Sequence, residues 1–326
     1  MLNFRTDLAL EAQEMYVEVN RKTSEIEGVA VTSKNVGKVL VTEVKITSEN
    51  GEKSLGKPCG TYITMESPSI QSMDPGTSEK ISLLMKEQLL KLIRLKREDK
   101  VLVVGLGNWN ITPDALGPKV VSEIMVTKHL IDYIPEHVDE NLRPVCAISP
   151  GVLGITGLET SEIIKGIVEK TKPDLVIAID ALASRNSERI SSTIQLTDTG
   201  IHPGSGVGNK REGLNKQTLG VPVIAIGVPT VVEAVCVAND ILKNLLNSLY
   251  EETKEHKTIH TFIKTLRDSE RYELLKAVVD EKQAEMIVTP KEIDSVISHI
   301  SKVISNGINL SLHEGIDLEY IESFTF

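Results

Sequence analysis

Aromatic residues are scarce in this 326-residue chain, at 3%, with Trp109 the sole tryptophan. Base-stacking platforms and membrane-interface belts are built from such side chains, so their scarcity argues against both. No apolar run approaches the roughly 20 residues needed to cross a bilayer. Met1–Leu10 carries Arg5 and Asp7 where a signal peptide would need its apolar stretch, and a cytoplasmic protein is expected. Cysteine is also rare. Cys59, Cys146 and Cys236 stand apart without CxxC spacing, which excludes a disulfide framework and a thiolate zinc site and leaves each as a buried apolar thiol. Positive charge is in deficit: the formal net charge of −10 leaves no basic excess to neutralise phosphates, so a neutral or cationic partner fits better than nucleic acid.

What is present is the composition of a folded enzyme-sized body, 40% hydrophobic and 25% charged, without low-complexity tracts. Val101–Val104 reads as a short β-branched strand ending in the turn Gly105-Leu106-Gly107-Asn108, and a helix is expected from Asp114 to about His129. Val145–Ser149 and the continuous apolar run Leu175–Ile179 read as further strands, with Ile163–Val168 in a helix between them. Val221–Ile226 is a buried strand closed by Gly227 and Pro229, and Val231–Leu249 carries helical spacing. This alternation predicts an α/β fold with a mostly parallel central sheet flanked by helices. Gly28–Ser33, Lys38–Ile46 and Thr61–Met65 look like antiparallel additions at the N-terminal side, followed by a helix through Glu79–Lys96. Residues 251–288 hold a charged helical insertion. Thr289-Pro290-Lys291-Glu292 reads as a capping box for a last helix that stops at Gly307.

In an open parallel sheet the carboxyl ends of the strands form the ligand crevice, and Asp114 and Asp180 both fall there. Each has an ordinary structural reading: Asp114 as a helix N-cap, Asp180 as a group bonded to the amides of the next loop. Two carboxylates brought close in a partly desolvated cleft do not both ionise readily, so one acts as acid and the other as base. A helix N-terminus favours the charged form of Asp114 as base, and burial favours the protonated form of Asp180 as acid. The segment Asp198–Asn209 is dense in glycine and offers His202, Gly204, Ser205 and Gly206 as a cradle for an oxyanion or carboxylate, with Asn108 a further binding candidate. A tight surface loop explains the same glycines.

The stretches Gly105–Asn110, Thr112–Pro118, Ala178–Ala183 and the His202 loop together resemble the germination protease of endospore-forming bacteria, over nearly the whole chain. Asp114 and Asp180 fall where that family places its essential aspartates. The resemblance implies an atypical aspartic endopeptidase, homotetrameric, acting in the spore core on small acid-soluble spore proteins during germination; for want of ligand spacing no cofactor is expected. It further implies a zymogen. Thr6-Asp7-Leu8-Ala9-Leu10-Glu11 is similar to the family's substrate site, so self-processing is expected after Asp7, leaving residues 1–7 as a propeptide and 8–326 as one peptidase domain.

Two other readings stand beside it. The Gly-Asn turn and strand-end aspartate also look similar to hydrogenase maturation endopeptidases, in which Asp114, Asp180 and His202 would hold a metal, although no tight ligand spacing supports a metal site. A non-enzymatic peptide-binding module would use the glycine loop as a ligand cradle. A serine hydrolase fits poorly, because no Gly-x-Ser-x-Gly elbow is present.

Overall fold

A computed structural model describes residues 6–20, 25–202, 212–252, 261, 268–278, 283 and 286–324. Among the described residues nine strands form one sheet: β1 (Val29–Val36), β2 (Val39–Ile46), β3 (Gly60–Glu66), β4 (Val101–Gly105), β5 (Val145–Ile148), β6 (Leu175–Ser184), β7 (Thr193–Thr197), β8 (Val223–Glu233) and β9 (Ile287–Val288). Their spatial order is β1-β2-β3-β7-β8-β6-β4-β5, with β9 added to β8. From β8 to β5 the pairing is parallel; from β1 to β8 it is antiparallel. The expected α/β sheet with antiparallel N-terminal additions is therefore what forms.

The parallel strands are apolar on both faces because helices cover both. On one face Val101, Val103, Ile177 and Ile179 pack with the helices Pro75–Leu92, Leu116–Ser122 and Ile293–Leu312. On the other, Leu102, Val104, Val176 and Ala178 pack with Ile164 and Val168 of the helix Thr160–Thr171. Toward β2 and β3 that second face is covered by Ala9 of an N-terminal helix, Ala9–Asn20.

Several boundaries differ from the sequence reading. β6 does not stop at Ile179 but runs on to Ser184, because β8 continues beside it through Gly227 and Pro229 to Glu233. Pro229 is accommodated where the register shifts between Leu182 and Ala183. Thr193–Thr197 is a strand that the sequence reading left unassigned. The helix expected after Asp114 is broken into the turn Thr112–Asp114, Leu116–Ser122 and Lys128–Tyr133. Helix Pro75–Leu92 starts and ends four residues earlier than expected, capped by Asp74. No capping box forms at Thr289, whose hydroxyl instead donates to the Thr230 carbonyl. Gly307 does not end its helix either; a Cβ there would press on Met85, so the glycine permits close packing of two helices. Cys59 is exposed just before β3, whereas Cys236 is buried and its thiol pushed up to about 12 by desolvation. Among the described residues no helix is long and apolar enough to cross a membrane.

Candidate active site

The turn after β4 is built by backbone crowding. The Leu106 N–H donates to the Ile179 carbonyl at 2.8 Å, tying the end of β4 to the residue before Asp180. Gly107 has φ +107°, and a Cβ there would collide with the Asp114 carbonyl oxygen, which accepts from the Asn108 N–H at 3.0 Å. A Cβ on Gly117 would strike the Leu106 backbone and the Ile179 oxygen. Only glycine allows three segments to meet this closely, and the turn Thr112–Asp114 thereby packs against β6 and β8. Asp114 is half-buried at the end of that turn. It is not the cap of the following helix, since Ala115 stands at the cap position.

Asp180 is 6% exposed and is the sixth of ten residues in β6. One of its oxygens accepts from the Ala181 N–H at 2.9 Å. The register Asp180↔Gly227↔Gln195 places these three in one row across β6, β8 and β7, so their side chains share a face. Gly227 adds no bulk between its neighbours, and a Cβ there would strike Leu182. The Asp114 turn thus packs against β6, the strand within which Asp180 lies, four residues before its end.

Asn108 serves the turn itself: its side-chain oxygen accepts from the Asn110 N–H at 3.0 Å. His202 is exposed, with its ring against Gly213, beside paired hydrogen bonds between Ile201 and Leu214 of 2.9 and 2.7 Å. Gly204, Ser205 and Gly206 lie outside the described residues. Among the described residues no three His, Cys, Asp or Glu side chains converge as a metal-binding group.

The N-terminal segment, which sequence alone could also take for a frayed end, is docked beside this site. The Asp7 N–H donates to the Ala183 carbonyl at 3.1 Å, and the Asp7 carboxylate accepts from the Ala183 N–H at 2.9 Å. Leu8 and Ala9 are fully buried. Glu11 accepts from the Arg185 and Asn186 N–H groups at 2.7 and 3.0 Å and from the Thr6 hydroxyl. Lys57 and Gln195, neither of which the sequence reading singled out, hold the backbone of this segment. Together with Asp7, Tyr62, Leu182, Gly227 and His202 they line a cavity of ≈ 70 Å³. Their contacts bridge 50 and 188 residues of sequence, so no local pattern announces them.

Fold and site define an α/β protein in which a buried aspartate within β6 lies beside a glycine-held turn carrying a second aspartate, with an N-terminal segment docked on the same strand. A family model described as Germination protease matches residues 9–262 and 249–325. The germination protease of Clostridium tetani (strain Massachusetts / E88) is 50% identical over 323 residues, 99% of each chain. That of Caldanaerobacter subterraneus subsp. tengcongensis is 50% identical over 316 residues, 97% of this chain and 96% of its own. That of Bacillus thuringiensis subsp. konkukian is 44% identical over 355 aligned positions, 98% of this chain and 96% of its own. The chain belongs to the germination protease family, and is a peptidase. A solved [NiFe] hydrogenase maturation protease, HycI from Thermococcus kodakarensis KOD1, aligns with 44% of this chain and 80% of its own at 21% identity and a TM-score of 0.29, too slight a likeness to bear on function.

Proposed function

We propose that this protein is an endopeptidase that degrades small acid-soluble spore proteins during germination, with Asp114 and Asp180 activating water for amide hydrolysis. The observation that carries the reading is the glycine seam at Gly107 and Gly117, which holds the Asp114 turn against the strand bearing Asp180. Asp114, half-buried, is the base that takes a proton from water. Asp180, 6% exposed, is the acid that protonates the leaving nitrogen.

In the same reading residues 1–7 are a propeptide removed by self-cleavage after Asp7, and 8–326 form one peptidase domain with a charged insertion at 251–288. His202 and the glycine loop through Gly204, Ser205 and Gly206 contact the substrate backbone. The active form is a homotetramer in the spore core. The docking of Asp7 onto Ala183, three residues beyond Asp180, supports a cleavage site within reach of the aspartates.

Incubating the purified protein with a small acid-soluble spore protein and mapping the fragments by mass spectrometry tests this. Cuts after acidic residues, lost in folded Asp114→Asn and Asp180→Asn, are expected. Undiminished cutting by either variant, or activity abolished by a chelator, would overturn the reading.

A further inference from the structure

The Asp7–Leu8 peptide is gripped by two side chains. Lys57 Nζ donates to the Thr6 carbonyl at 2.9 Å and to the Asp7 carbonyl at 3.0 Å. Gln195 Nε2 donates to the Asp7 carbonyl at 3.3 Å, while Gln195 Oε1 accepts from the Ala9 N–H at 2.8 Å, so one amide spans the peptide from both sides. The Leu8 N–H donates to the Thr6 hydroxyl at 3.1 Å. Two donors therefore converge on one backbone oxygen, and that oxygen belongs to the bond expected to be cut.

We infer that Lys57 and Gln195 form the oxyanion site for hydrolysis of the Asp7–Leu8 peptide. The inference rests on the processing reading above. Water adds through its oxygen to the Asp7 carbonyl carbon, and its proton passes to the Asp114 carboxylate. The C=O π pair moves onto the Asp7 oxygen, where the Lys57 and Gln195 N–H groups receive the negative charge. Collapse of this adduct breaks the C–N bond, and the Leu8 nitrogen takes the proton of the Asp180 carboxyl, leaving a new carboxyl at Asp7 and a new amine at Leu8. Donors fixed before the reaction stabilise charge as it develops without reorganising, which is why such sites act on rate rather than on binding.

Two features favour this role over a simple anchor. Lys57 spends its donors on Thr6 and Asp7, residues that processing discards, whereas an anchor for the finished protein would hold residues that stay. Gln195 shares the row of Asp180 across Gly227, placing the grip on the face from which the aspartate acts. Lys57 is also partly desolvated; burial lowers its pKa while Asp7 and Glu11 draw it back up.

The test uses the purified full-length chain, following loss of residues 1–7 by intact mass in wild type, Lys57→Met, Lys57→Arg, Gln195→Met and Asp180→Asn, with melting curves to establish folding. Lys57→Met is expected to slow processing by about 10²-fold. Gln195→Met should slow it less, Lys57→Arg should recover part of the rate, and Asp180→Asn should be inert. Folded Lys57→Met that processes as fast as wild type, or faster as release of a latch would make it, overturns the assignment. Should Lys57→Met not fold, Gln195→Met decides by the same criterion. A wild type that never sheds residues 1–7 contradicts the processing reading, and the oxyanion assignment with it.

Discussion

The two halves of the sheet, which meet at β8, position functional groups by different means. On the parallel side the Asp114 turn is held by main chain against main chain, with Gly107 and Gly117 leaving no room for a side chain. Apart from the Asp7 N–H bond to the Ala183 carbonyl of β6, the N-terminal segment is held by polar side chains. Arg189 pairs with Glu11 at 3.4 Å, Glu14 at 2.6 Å and Glu66 at 2.7 Å, and Lys57 and Gln195 grip the backbone of Thr6–Ala9. Main-chain crowding is rigid and gives one geometry. A network of side chains can let go one contact at a time.

The two halves should therefore break differently. Gly117→Ala should cause the largest loss. Its Cβ meets Leu106 and Ile179 backbone that has no way to yield, so destabilisation of more than about 3 kcal/mol, or failure to fold, is expected by urea denaturation. Arg189→Met leaves the buried Glu11 without its cation and should cost about 3 kcal/mol. Its characteristic result would be early proteolytic nicking at the N-terminal helix while the parallel half stays folded. Uniform unfolding of both halves would argue against the contrast.

The smallest effect lies at the far edge of the parallel half, where a polar anchor does occur. His313 Nδ1 accepts from the Arg143 N–H at 3.1 Å, and Arg143 Nε donates to the Leu312 carbonyl at 2.9 Å. Burial, and then the Arg143 charge, lower the His313 pKa to about 4. The unfolded chain takes up this proton near pH 6.5, the folded chain only near 4. The stability is therefore complete above pH 6.5, falls as pH drops from 6.5 toward 4, and loses at most about 3 kcal/mol there. Denaturation at pH 7 and pH 4.5 should show that fall, and His313→Gln should flatten it.

Much of the fold was legible because continuous apolar runs such as Val101–Val104 and Leu175–Ile179 admit little other than buried parallel strands. The ends were not. Gly227 and Pro229 look like a stop, but pairing with β6 carries β8 past both. Thr193–Thr197 alternates too few apolar residues to stand out, and becomes a strand because β3 and β8 lie on either side of it. Thr289 to Glu292 matches a capping box in spelling only, since a tertiary contact with Thr230 takes the hydroxyl. At the site, the pattern put Asp180 just beyond a strand end and Asp114 at a helix cap, whereas pairing with β8 carries β6 past Asp180 and Ala115 takes the cap. Lys57 and Gln195 stayed hidden because what they hold is main chain, brought to them by folding alone.

The central claim, that Asp114 and Asp180 work as one unit, is tested most directly by comparing Asp114→Asn, Asp180→Asn and the double variant for cleavage of a small acid-soluble spore protein. Groups that act together are non-additive. Each single variant should lose about 10³-fold or more in kcat, and the double variant should be no slower than the worse single one. Losses that multiply, or a single variant that retains wild-type kcat, would contradict the account.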